Sequence, residues 1–167
     1  MAANHLEQLV AEWYEYQGYF IRRNIKVGRR KKGGHEGELD IVAFHPDRQH
    51  LVHIETSLDA QAWEKREVRF AKKFELGRQF IPSLFSGLAI PSEIESHAVL
   101  LFAAKTGGRK SLGGGRLILV SELLEEILST LVSVSILSNM VDEQKPLLRT
   151  LQFVAYHRKQ LAAVLQR

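Results

Sequence analysis

The stretch from Gly37 to Ser57 constrains this chain most. It reads Gly-Glu-Leu-Asp-Ile-Val-Ala-Phe, then His45-Pro-Asp-Arg-Gln-His50, then Leu-Val-His-Ile-Glu-Thr-Ser. Two short apolar runs around a breaker-rich connector predict a β-hairpin. Each run carries one acid where a half-buried strand favours an apolar residue: Asp40 enters the first and Glu55 leaves the second. Charges near a core are costly unless compensated, so the pair points to a bound cation or to basic partners. The plainer alternative is two exposed strand ends neutralised by nearby Arg or Lys.

Two registers fit the connector. A turn centred on Asp47-Arg48 sets Asp40 directly opposite Glu55, with Cβ atoms roughly 4.5–5.5 Å apart. Like charges so placed destabilise a sheet. With Pro46 at the second position of a type I turn, the acids become diagonal, still within reach of one cation. Ser57, two residues past Glu55, points to the same side if the strand continues.

At 167 residues and 19.0 kDa, the chain is expected to form one domain with a proper core. It has no cysteine, which excludes disulfides and thiolate metal sites and fits a reducing, cytoplasmic setting. The first residues lack a basic start followed by an apolar run, so no signal peptide is expected. The longest apolar-rich stretch, Leu117 to Met140, is interrupted by Glu122, Glu125 and Glu126, so no membrane span is expected. The formal net charge is +4. Its excess is clustered: Arg22 to Lys32 holds seven basic residues and no acid, a pattern suited to an anionic partner.

Along the chain, Leu6, Leu9, Val10 and Trp13 at helical spacing predict a helix over 5–17, capped by Asn4, stopped by Gly18, and carrying Glu7 beside its apolar stripe. Tyr19 to Val27 reads as a strand, and Gly28 to Glu36 as a basic loop, either mobile and solvated or in contact with phosphate. Leu58 to Phe80 reads as a helix opened by Asp59 and ended near Gly77. Its Trp63, Phe70 and Phe74 face the core, and Lys65, Arg69, Lys72 and Lys73 form a basic stripe. Such a stripe is commonly just the wet side of a helix. Residues 81–92 read as a connector, and His97 to Ala104 as a strand covered on both faces. Residues 105–116, with Arg109 and Lys110, form a glycine-rich basic loop without P-loop spacing. A short strand over 117–120, a helix from Ser121 to about Val132, and a last helix from Asp142 through Leu161 with Pro146 in its first turn complete the chain.

The resulting order is a helix with Glu7, a strand, a strand with Asp40, a strand with Glu55, a basic-striped helix and a strand. In it the chain resembles the PD-(D/E)XK nuclease superfamily, nearest its Holliday-junction-resolvase-like and restriction-endonuclease-like branch. Three matches carry the resemblance, which covers roughly residues 5–120. Glu7 stands eleven residues before Gly18-Tyr-Phe, as a first-helix glutamate does in that branch. Gly37-Glu-Leu-Asp40 matches the element with the metal-binding aspartate, and Val52-His-Ile-Glu55-Thr-Ser57 matches the Val-Glu-Val-Lys element. The resemblance implies an α/β, restriction-endonuclease-like core: a helix, a three-stranded antiparallel meander, a helix and further strands. Helices over about 121–167 are an addition to it.

It also implies a metal-dependent deoxyribonuclease holding Mg²⁺ (or Mn²⁺) on Asp40 and Glu55 with help from Glu7. The DNA backbone would be contacted by Arg29, Arg30, Lys31 and Lys32 and by Arg109 and Lys110. Cutting both strands of a duplex favours a homodimer. One departure matters: the family's lysine belongs at Ser57. Phosphodiester hydrolysis needs a cation facing the charge that develops on phosphorus, and serine supplies none. In the superfamily that lysine migrates onto a neighbouring helix, which makes the stripe residues Lys65, Arg69, Lys72 and Lys73 candidates here, Lys73 first and Lys72 second. His53, on the same strand face as Glu55, is a ligand, a water-holding base or a packed core histidine; His35 is a DNA contact or has no role. Two other functions compete. One is a nuclease-derived DNA-binding module that lost cleavage with its lysine; the other is an interaction domain docking a partner on its last helix.

Overall fold

The computed structural model describes residues 4–102 and 107–166. Asn4 opens the first helix, α1 (His5–Tyr16), its side-chain oxygen accepting the Leu6 and Glu7 N–H groups at 3.1 and 3.3 Å. Gly18 at φ +93° then reverses the chain into β1 (Phe20–Arg29), which pairs antiparallel with β2 (His35–His45). Strand β3 (His50–Ser57) follows through the Pro46–Gln49 turn. The first of the two registers is the one adopted: Ile41 pairs with Ile54 and Val42 with His53, so Asp40 and Glu55 are next in line.

Helix α2 (Trp63–Leu84) crosses one face of the sheet to β4 (Glu95–Leu100), which runs parallel to β3. The short β5 (Ser111–Leu112) hairpins into β6 (Gly115–Leu119), and β6 lies parallel to β4. The six strands lie in the order β1-β2-β3-β4-β6-β5. Helices α3 (Val120–Val132), α4 (Pro146–Tyr156) and α5 (Arg158–Leu165) end the chain. The fold is therefore mixed α/β, with an antiparallel meander followed by a parallel crossover. Among the described residues, no helix is long and apolar enough to cross a membrane.

Two cores sandwich the sheet. On one face Ile41, Ala43, Val52, Ile54 and Val99 pack against Val10 and Trp13 of α1 and against Leu123, Ile127 and Leu131 of α3. On the other, Val42, Phe44 and Leu51 meet Ile81 of α2, and Ala98 and Leu100 meet Phe70 and Phe74. Each such Val, Leu, Ile or Phe side chain contributes roughly 1.5–3 kcal/mol on burial. Helix α4 is anchored by a remote cap: the buried Glu12 carboxylate of α1 accepts the Leu148 N–H at 2.8 Å, in the first turn of α4. Helices α3 and α4 thus share the core of α1.

Several boundaries differ from the sequence expectation, each for a local reason. Asp59 does not cap α2, which begins at Trp63; its carboxylate is held instead by Ser57, Arg66 and Arg69. Gly77 does not end the helix, which runs through Pro82 to Leu84, because this glycine makes room for the His53 ring. The predicted last helix is two helices broken at His157. The α3 start is capped from within, Glu122 accepting the Leu119 N–H at 2.8 Å in place of a Ser121 cap. Strand β4 ends at Leu100; Ala103, Ala104 and Lys105 of the predicted strand and loop lie outside the described residues.

The largest difference is the glycine-rich stretch 28–36. Most of it is strand: the β1–β2 ladder continues to Arg29–His35, leaving a turn closed by the Arg30 N–H on the Gly34 carbonyl at 3.1 Å. Because β3 pairing stops at Ile41, the two strands run on alone for about 16 Å as an arm.

Candidate active site

Asp40 sits where the arm leaves the sheet. Ile41 and Ala43 face α1, yet Leu39 joins Val42 and Phe44 on the α2 face, and β1 changes faces between Ile21 and Ile25. Asn24, opposite Asp40, takes up the reversal with φ +53°, a conformation asparagine adopts more readily than most residues. At this rung the Asp40 N–H is directed to Glu55 Oε1 at 3.3 Å. In return, Asp40 Oδ2 accepts the Thr56 N–H at 2.9 Å. The two acids are therefore clamped together at the C-terminal end of β3, Glu55 fully buried and Asp40 nearly so.

From the α2 side, Lys73 Nζ donates to Asp40 Oδ1 at 2.8 Å and to Glu55 Oε2. This contact relieves the repulsion that the register imposes. Burial alone would lower the Lys73 pKa, but the adjoining Glu55 and Asp40 charges outweigh it and raise it, so the ammonium keeps its proton. Burial pushes the Glu55 pKa up, opposed by its hydrogen bond from His53. From the α1 side, Glu7 approaches the same end of the sheet, its Oε1 accepting from Asn4 Nδ2. Burial first and the Asp40 charge second raise the Glu7 pKa. A shallow pocket of about 310 Å³ opens here, lined by Glu7, Asp40, Ser57, Asp59, Arg69 and Lys73.

Ser57 is not vacant ground beside these acids. Its Oγ donates to Asp59 Oδ2 at 2.7 Å and accepts from Arg69 at 3.0 Å. Arg69 in turn pairs with Asp59 at 2.6 Å. Burial opposes ionisation of Asp59, but hydrogen bonds from Ser57, Arg69 and the Gln61 N–H hold its carboxyl well below the usual range. A strand serine and a helix arginine thus flank the pocket where a strand lysine is expected.

Of the residues singled out from sequence, Glu7, Asp40, Glu55 and Lys73 come together. Lys72 does not: it is exposed on the outer side of α2. Arg29, Arg30, Lys31 and Lys32 are exposed on the arm, as is His35, and Glu36 and Glu38 share that arm. Arg109 and Lys110 lie elsewhere, lining a cavity of about 900 Å³ on the α1 side, with Arg109 also 5.1 Å over the Trp63 ring. At the opposite end of β3, His50 and His97 both reach Glu95, at 2.6 and 2.7 Å. The hydroxyls of Tyr19 and Tyr14 satisfy their other ring nitrogens. Arg69, a lower-ranked candidate of the basic stripe, also reaches the site; Asn4, Thr56 and Asp59 join it although sequence marks Asn4 and Asp59 only as helix caps and Thr56 not at all.

The donor set suits a small hard cation. Asp40 Oδ1 and Glu55 Oε2 converge on the point that Lys73 Nζ occupies, so a cation held between them takes the place of the ammonium, and Mg²⁺ characteristically takes only one or two protein carboxylates plus water and phosphate. Among the described residues, no group of three or more His or acidic side chains is arranged to hold a metal ion by itself. The fit therefore rests on the carboxylate pair, with Glu7 at the rim.

No family model matches the chain, and no curated protein matches it. A solved crystal structure, that of a protein of unknown function, AF1548, is similar over 88% of this chain and 77% of its own, at 16% identity and a TM-score of 0.49.

Proposed function

We propose that this chain is a metal-dependent deoxyribonuclease with a restriction-endonuclease-like core of the PD-(D/E)XK kind. The single observation that carries this reading is Lys73. The helix that follows the acid-bearing hairpin sends an ammonium back to both Asp40 and Glu55, which makes good the absence of a lysine at Ser57. The element order, the clamped acids and the adjoining basic arm support the same reading.

In this scheme Asp40 and Glu55 hold Mg²⁺ or Mn²⁺. When bound, the metal lowers the pKa of a water and polarises a phosphoryl oxygen. The chain's own groups do the rest. Lys73, released from the two carboxylates when a metal takes its place, would keep its proton and stay at the pocket lip, where it would face the negative charge that grows on phosphorus. Arg69 stands beside it as a second cation. Glu7, with Oε1 held by Asn4, keeps Oε2 for a water at the rim, and its raised pKa suits it to accept a proton. Arg29, Arg30, Lys31 and Lys32 draw the DNA backbone along the arm without reading sequence.

The same lysine favours a second reading. Because Lys73 already bridges both acids, the two carboxylates have a cationic partner without a metal ion, as suits a DNA-binding module that no longer cleaves. Cleavage of plasmid, single-stranded and branched DNA with Mg²⁺ or Mn²⁺ separates the two. The nuclease reading expects cleavage that disappears in Glu55→Gln and falls steeply in Lys73→Met. Salt-dependent binding without cleavage by the wild type would replace it with the second reading.

A further inference from the structure

His53 is fully buried, and its two ring nitrogens have opposite fates. Nε2 lies 2.7 Å from Glu55 Oε1. Nδ1 is, among the described residues, the buried side-chain nitrogen or oxygen left without a hydrogen-bond partner. The α2 backbone presses on the ring at this atom: a Cβ on Gly77 would lie 2.1 Å from Nδ1. The edge of Phe74 closes another side, its ring centre 5.4 Å away. An orphaned polar atom of this kind costs about 1–3 kcal/mol, which an apolar residue would avoid.

Glu55 explains the cost. Its carboxylate accepts from His53 Nε2, from the Asp40 N–H and from Lys73. With three donors converging on this carboxylate, the ring N–H that meets it is the one on Nε2. His53 and the Asp40 amide both engage Oε1, so the carboxylate cannot rotate and Oε2 alone is presented toward Asp40 and Lys73. Gly77 and Phe74 fix the ring that does the fixing.

We propose that His53 is a positioning residue, held by Gly77, that orients Glu55 so that Oε2 meets the cation shared with Asp40. The inference rests on the metal-site reading above and deepens it: His53 touches neither metal nor DNA, yet sets the affinity of the site for metal. Second-layer partners of ligating groups characteristically carry about a 10–100-fold effect on metal affinity.

The test is Mn²⁺ binding without DNA, with free Mn²⁺ followed by electron paramagnetic resonance. His53→Leu is expected to weaken binding about 10–100-fold. His53→Gln, whose amide can still donate to Glu55, should stay within a few-fold of wild type and remains informative if the leucine variant fails to fold. In a Glu55→Gln background, which has lost the ligand itself, His53→Gln and His53→Leu should bind alike. Wild-type affinity in His53→Leu overturns the proposal, and so does loss in His53→Gln as large as in a folded His53→Leu. Absence of wild-type Mn²⁺ binding, or binding unaffected by Asp40→Asn, instead overturns the metal-site reading and the inference with it.

Discussion

Lys73→Met keeps the length and apolar stem of the side chain but removes its charge, leaving Asp40 and Glu55 face to face. Glu55 is fully buried and Asp40 nearly so. Removing one partner of a buried ion pair costs about 3–5 kcal/mol. Lys73 keeps 30% of its side chain in solvent. Screening reduces the expected loss to roughly 2–3 kcal/mol. The loss must also depend on pH. Glu55 has a raised pKa, so its neutral form is the one the fold favours: that contribution is present below its ordinary value near 4.5 and fades as pH rises through the folded value. Without Lys73, the folded value rises further. The deficit of the variant is therefore full at neutral and mildly alkaline pH and shrinks as pH falls toward 4.5 and Glu55 takes up a proton. Lys73 itself, with its pKa raised above 10.5, supports the fold at all pH values below that. Urea denaturation between pH 5 and 9 reads this directly. With a slope of about 2 kcal/mol/M, the midpoint should drop by roughly 1–1.5 M at pH 8 and by less at pH 5. A drop below about 0.3 M, or one independent of pH, would refute the picture of a buried acid pair neutralised by Lys73.

Three further outcomes follow from other parts of the fold. Gly77→Ala, normally stabilising within a helix by about 1 kcal/mol, should here destabilise by roughly 1–2 kcal/mol, because the new methyl collides with His53; thermal unfolding gives the sign. Glu12→Ala should cost about 2 kcal/mol in urea unfolding by leaving the Leu148 N–H buried and unpaired. Replacing Arg29, Arg30, Lys31 and Lys32 by serine should weaken DNA binding equally for all sequences and flatten its salt dependence, by up to about 0.9 for each phosphate no longer neutralised; an unchanged slope would remove the arm from the interface.

How much was legible depended on how local the cause was. The hairpin is legible in its turn residues, but these leave two registers open and the pairing of Ile41 with Ile54 decides between them; Asp40 and Glu55 stand out because an acid in an apolar run is anomalous on its face. The family resemblance points to the helix after the hairpin and ranks Lys73 ahead of Lys72; the crossing of α2 over β3 is what brings Lys73, and not Lys72, to the acids. The β1–β2 arm looks like a loop in sequence because both its faces are largely exposed at the tip, so no alternation marks it. Asp59 and Gly77 were assigned local roles, a cap and a stop, that residues distant in sequence overrode: Arg66 and Arg69 claim the first, and His53 claims the second. The Glu12 cap on α4 spans 136 positions and leaves no trace in sequence.

The most direct test is plasmid nicking by chelator-treated protein after Mg²⁺ is added back, with Asp40→Asn alongside. A metal site on Asp40 and Glu55 served by Lys73 predicts no nicking before addition, nicking that rises with Mg²⁺ in the wild type, and none in Asp40→Asn at any concentration. Equal nicking by the wild type and Asp40→Asn would contradict it.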